Sequence, residues 1–139
     1  MVDRDTHLLK SIGVVRSPLK DRERAPSQGN EGAPDAVIEL APSVMKGLEG
    51  IDAGHEIIVV TWFHEARRNV LKLHPRWNRR LPLTGVFNTR SPDRPNPLGL
   101  HRVTVLEIDG RQLKVGPLEA IDGTPVVDIK PVLRSSADS

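Results

Sequence analysis

Asp109-Gly110 separates two runs, LHRVTVLEI at 100–108 and RQLKVGPLE at 111–119, and the first alternates polar and apolar residues from Arg102 to Val105 and again from Leu106 to Ile108. An Asp-Gly pair between such runs marks a two-residue hairpin, because the turns that match strand twist need a residue at home with positive φ. An antiparallel pair is therefore built in, with Val103, Val105 and then either Leu106 or Ile108 dividing between the faces of its first strand. Asp122-Gly123 marks a second turn, ahead of PVVDIKP at 125–131. HEIIVVTWF at 55–63 is the strongest strand signal, an unbroken apolar run of the kind buried on both faces. LLKSIGVVR at 8–16, broken by Ser17-Pro18, AVIEL at 36–40 and TGVFNT at 84–89 complete the strand-like segments. SVMKGLEG at 43–50 predicts the one short helix, with Ser43 as its N-cap and Gly50 as its stop. Six or seven short strands with turns between them, and no alternation of strand and helix, predict a mainly β domain, a closed or nearly closed barrel. Residues 18–34 read as a long loop and 134–139 as a flexible tail, so a single domain over 1–139 has an ordered core of about 8–133.

Composition narrows the chemistry. The 139 residues include no cysteine, which excludes disulfides, a thiol nucleophile and thiolate metal sites. With two Phe, two Trp and no Tyr, the core must be built from Val, Ile and Leu. No apolar run approaches the ~20 residues of a membrane span. The start, MVDRDTHLLK, has no apolar signal stretch, so the expectation is a soluble, cytoplasmic protein without a membrane partner.

Charge is unevenly placed. The chain carries a net charge of +2, but from Arg67 to Arg94 eight basic residues face one acid, Asp93. That segment suits a polyanion-binding face, since phosphate contacts dominate nucleic-acid affinity. A solvated Arg-rich loop, or arginines paired with the acidic remainder in a dimer, is the competing reading.

Two segments concentrate chemistry-bearing residues. In NTRSPDRPNPLGL at 88–100, three prolines within six residues stiffen the loop and fix the directions of Arg90, Arg94 and Asn96. Two guanidiniums and a carboxamide held this way suit a carboxylate or phosphate with little entropy left to lose. In GPLEAIDGTPVVDIKP at 116–131, Asp128 and Lys130 share one strand face, and Asp122 stands at a turn where Asx chemistry alone would explain it.

GVFNTRSPDRPNPLGL (85–100) and DGTPVVDIKP (122–131) resemble the two hallmark motifs of the TrmO (TsaA-like) family, and the likeness extends from about Ile12 to Pro131. Characterised members are S-adenosylmethionine-dependent tRNA methyltransferases that act on the exocyclic nitrogen of threonylcarbamoyladenosine beside the anticodon. The resemblance implies a single-sheeted β-barrel, and a homodimer with the cofactor near its interface. It places cofactor contacts at Pro26, Ser27 and Gln28, at His64 and Glu65, at Arg90 and Leu100, and at Gly116, Pro117, Leu118 and Glu119. Ser27 departs from the family's arginine and Glu65 from its glutamine. Well-studied bacterial members continue into a second domain, which this sequence is expected to lack; the basic stretch 67–80 is then the expected grip on the tRNA anticodon loop.

The implied reaction assigns roles. Arg90 suits an anionic handle, and Glu65 or Glu119 an ammonium or ribose hydroxyls. Asp122 or Asp128 is the expected proton acceptor, while Arg94, Asn96 or Lys130 steadies developing negative charge. No metal is expected. A barrel methyltransferase for a different acceptor, and a non-catalytic S-adenosylmethionine-binding module, are the alternatives.

Overall fold

The structure, a computed structural model, describes residues 4–21 and 32–133. Its strands are β1 (Gly13–Arg16), β2 (Ala36–Leu40), β3 (Glu56–Trp62), β4 (Lys72–Leu73), β5 (Thr84–Gly85), β6 (Leu98–Asp109), β7 (Gln112–Gly116) and β8 (Pro125–Pro131). Six of them close one barrel in the order β1-β2-β7-β6-β3-β8, with β8 pairing back to β1, and every pairing is antiparallel. β4 and β5 form a separate two-stranded ribbon. The barrel expected from the turn spacing is therefore present.

β6 makes closure possible. Its first half pairs with β3 over Leu98–Thr104 and its second half with β7, with a bulge between Val105 and Glu107. The bulge makes Leu106 the extra residue, so the inward row Val103, Val105 continues at Ile108 while Leu106 stays exposed. A second irregularity, opposite Val60 and Thr61, sets Asp128 against Val60 and Lys130 against Ile58. The hydrophobic core is aliphatic: Val15, Ile38, Leu40, Ile57, Val59, Val103, Val105, Leu113, Val115, Leu118 and Val126 fill it.

Several boundaries move. The first strand begins only at Gly13, because β2 ends at Leu40 opposite it; Leu8 and Leu9 are left exposed. The helix is a 3-10 turn at Pro42–Leu48, not 43–50. Pro42 takes its first turn, where a missing N–H costs nothing, and the cap position is Ala41 rather than Ser43, with no side-chain cap. The strand expected over 84–89 is two residues of ribbon followed by a 3-10 turn at Val86–Asn88. β7 stops at Gly116 because Pro117 has no N–H for the ladder. The hairpin turn sits one residue later than expected: Asp109 pairs with Gln112, and Gly110, at φ 57°, takes the first turn position. The 134–139 tail and the Pro26-Ser27-Gln28 element lie outside the described residues. Among the described residues, no helix is long and apolar enough to cross a membrane.

Candidate active site

The inward rows of β3 and β6 turn polar at the same end of the barrel. Along β3 the row reads Ile57, Val59, Thr61, and along β6, running the other way, Val105, Val103, His101. Because Val59 pairs with His101 and Thr61 with Gly99, the two polar side chains meet: Thr61 Oγ1 lies 2.6 Å from His101 Nε2. His101 Nδ1 lies 2.5 Å from Glu119 Oε1. A carboxylate only accepts, so Nδ1 carries a hydrogen toward Glu119; in the tautomer with that hydrogen alone, Nε2 accepts from the Thr61 hydroxyl. Phe63 packs edge-on against the imidazole, with centroids 5.7 Å apart. Gly99 permits that approach, since a Cβ there would stand 2.6 Å from both His101 Nε2 and the Phe63 ring. Thr61 and His101 are fully buried, while the Glu119 side chain keeps 13% exposure.

Above this floor opens a cleft of about 1580 Å³, walled by the proline-rich loop, by the segment after β3 and by the β4–β5 ribbon. Arg94 holds the loop in shape: its guanidinium donates to the carbonyls of Val86 at 2.8 Å, Thr89 at 2.9 Å and Ser91 at 3.0 Å. Arg68 donates to the Pro95 carbonyl at 2.7 Å and to Asn96 Oδ1 at 3.1 Å, and lies 5.1 Å from the Trp62 ring centroid. Arg67 pairs with buried Asp93. Arg67, Arg68 and Arg94 thus build the loop. Among the described residues, the Arg90 guanidinium has no partner, and Lys72, Arg76 and Arg79 line the cleft beside it.

His64, Glu65, Arg90, Arg94, Asn96, Leu100 and Glu119, named from the sequence, all line this one cleft. The structure gives Arg94 and Asn96 internal partners. Gly116, Pro117 and Leu118 are not among the lining residues: Leu118 belongs to the core, and Gly116 lies so close to the Asp35 carboxylate that no Cβ fits. Asp122 also lies outside it. Its carboxylate accepts the Ser17 N–H at 3.0 Å and meets Lys20 Nζ at 3.3 Å, and chiefly that backbone hydrogen bond holds its pKa below the ordinary 3.8. Asp128 and Lys130 pair with each other at 3.1 Å on the outward side of β8, half or more exposed. The bulge in the β3–β8 pairing leaves both with the outward row, so neither faces the cleft. Thr61 and His101 escaped the sequence reading. The available signal was the polar ending of two otherwise aliphatic alternations.

The chain is 45% identical over 123 residues to a probable S-adenosyl-L-methionine-binding protein of Methanothermobacter thermautotrophicus, covering 88% of both. It is 36% identical over 136 residues to the tRNA (adenine(37)-N6)-methyltransferase of Escherichia coli, covering 89% of this chain and 57% of that one. The crystal structure of TrmO from Pseudomonas aeruginosa matches with a TM-score of 0.76 at 28% identity, over 98% of this chain and 59% of that one. The chain thus spans less than three-fifths of the length of these last two proteins. Residues 14–139 match the tRNA-methyltransferase O N-terminal domain, and the chain belongs to that family.

Proposed function

We propose that the protein transfers a methyl group from S-adenosylmethionine to the exocyclic nitrogen of threonylcarbamoyladenosine beside the tRNA anticodon. The observation that carries this is the cationic cleft, with Arg90, unpartnered among the described residues, on its wall and Glu119 on its floor. The cleft suits the cofactor chemically. Arg90 matches its carboxylate, Glu65 its ammonium or ribose hydroxyls, and Phe63, Phe87 and Leu100 supply apolar surface for its adenosine. A volume of about 1580 Å³ exceeds what one small ligand fills, which leaves room for a nucleotide alongside. Bound there, the cofactor supplies an electrophilic methyl group on a sulfonium.

The chain's own residues then hold and orient. The acceptor nitrogen is a weak nucleophile, its lone pair being shared with the adenine and with the carbamoyl group. Alignment and removal of its proton therefore matter more than in ordinary amine methylation. The outward-facing cations of the 67–80 stretch supply a grip on the anticodon-loop phosphates. Exposed Leu83, Phe87, Leu98 and Leu100 on the cleft rim support pairing of two copies there. This reading belongs in the cytoplasm, where tRNA is handled.

The test is methyl transfer to tRNA that carries threonylcarbamoyladenosine without its methyl group, with nucleosides read by mass spectrometry. A one-methyl gain on that nucleoside, lost in Arg90→Ala, is expected. No gain from protein that binds the cofactor calorimetrically would move the reading to a different acceptor. Neither gain nor binding would overturn it.

A further inference from the structure

We infer that Glu119 is the proton acceptor of the transfer, held for that work by His101 and Thr61. The inference rests on the methyl-transfer reading above. Joining the methyl carbon to the acceptor nitrogen uses the nitrogen lone pair and breaks the carbon–sulfur bond, whose electrons stay on sulfur. The nitrogen must then give up its proton, so a base has to stand at the cleft. Proton transfer to one Glu119 oxygen leaves a neutral carboxyl, a neutral thioether and a neutral methylated nitrogen, and the charges balance.

Glu119 is singled out by what stands behind it. Asp122 is held by Ser17 and Lys20, and Asp128 pairs with Lys130 outside the cleft. Asp93 is committed to Arg67, and Glu65 is half exposed beside His64. Glu119 alone of these is backed by a buried line of polar groups. The Thr61 hydroxyl donates to Nε2 and so directs the Nδ1 hydrogen at Glu119 Oε1. That oxygen is fixed, and the other is left to meet the substrate. A hydroxyl and an imidazole inside an aliphatic barrel are costly unless satisfied, and no buried side-chain polar atom among the described residues lacks a partner. A closed apolar end would serve stability equally well; a carboxylate held at a fixed angle to the cleft is what the polar line adds. Glu119 is thus a catalytic residue, and His101 and Thr61 are positioning residues.

The experiment compares Glu119→Gln, His101→Asn, His101→Leu and Thr61→Val with the wild-type protein in the tRNA assay, with cofactor affinity measured separately by calorimetry. Glu119→Gln keeps an acceptor for Nδ1–H but is no base. Its kcat is expected to fall roughly 10²-fold or more, with cofactor affinity changed less than about threefold. His101→Asn can still donate to Glu119 and is expected to recover part of the kcat lost in His101→Leu. Nitrogen-15 NMR of the wild-type protein should show the His101 Nδ1–H hydrogen-bonded, with its signal disturbed in Thr61→Val whether or not that variant turns over. Loss of cofactor affinity with normal kcat at saturation in Glu119→Gln would make Glu119 a cofactor ligand and overturn the inference. Wild-type kcat in Glu119→Gln would overturn it while leaving the methyl-transfer reading intact. Absence of transfer by the wild-type protein would overturn both.

Discussion

Asp93, 1% exposed, accepts the backbone N–H of Arg67 at 2.9 Å and its guanidinium at 3.3 Å. This one carboxylate ties the proline-rich loop to the segment that leaves β3. The tie continues through the Arg94 N–H, which donates to the Arg67 carbonyl at 3.0 Å. Asp93→Ala leaves the part-buried Arg67 N–H without its acceptor and is expected to destabilise the protein by about 1–3 kcal/mol. Asp93→Asn, which can still accept from Arg67, should lose less. Urea unfolding of both variants checks the order; equal losses would mean that charge, not the backbone bond, carries the effect.

Arg90 and Arg94 share one loop and differ in what they do. Arg94 reaches three carbonyls of its own loop, so Arg94→Ala is expected to cost about 2 kcal/mol and to loosen the cleft wall. Arg90→Ala removes no side-chain hydrogen bond or ion pair among the described residues. It should leave the unfolding midpoint within about 0.5 kcal/mol of wild type while weakening S-adenosylmethionine binding roughly tenfold. Thermal unfolding and calorimetry on the same two preparations separate the roles.

That contrast shows where sequence reading reaches and where it stops. The barrel was legible because Asp109-Gly110, Asp122-Gly123 and the strand runs are local patterns with fixed physical meaning. The 3-10 turn at Pro42–Leu48 was misplaced by two residues at its end, since Ser43 looks like a cap until Pro42 is seen to take the first turn itself. In the site, the stiffness of residues 90–97 was readable from proline alone. Which of its arginines faces inward was not, because that depends on carbonyls of Val86, Thr89 and Ser91 turned toward one guanidinium. Asp128 and Lys130 share a face as their spacing requires, but a bulge opposite Val60 and Thr61 decides which face that is, and bulges leave little trace in sequence. The Thr61–His101 contact depends on the register between strands some forty residues apart.

Reversing Arg76 and Arg79, which line the cleft, together with Arg80 next to them in the basic stretch, to Glu tests the grip on RNA. Phosphate contacts release counterions, so removing three of them should reduce the salt slope of tRNA binding by roughly 2–3 and abolish detectable binding near physiological salt. S-adenosylmethionine affinity should be unchanged, because Arg90 is untouched. Arg76 also sits at φ 54°, where a side chain is strained, so unfolding must be monitored alongside. Unchanged tRNA affinity in a folded triple variant would place the RNA elsewhere.

Asp122 gives the protein a signature in acid. Its carboxylate accepts the Ser17 N–H at 3.0 Å, with Lys20 at 3.3 Å, and its folded pKa lies below the ordinary 3.8, chiefly because of the Ser17 bond. A depressed carboxyl stabilises the fold fully above its unfolded pKa and loses that contribution as pH falls through the folded value. The turn at Asp122-Gly123 and the loop after β1 share this contact, and the Asp122 N–H returns a bond to the Leu19 carbonyl at 2.7 Å. Asp122→Asn keeps an acceptor for Ser17 but has no charge for it or for Lys20, and should be less stable than wild type by about 1 kcal/mol at neutral pH. The two unfolding midpoints should converge as pH falls below 3.8, since protonation removes the same charge from the wild-type protein. Urea unfolding from neutral pH to about pH 3 reads this directly. A gap that stays constant down that range would mean that the aspartate acts through shape alone, and the Ser17 bond would then owe nothing to charge.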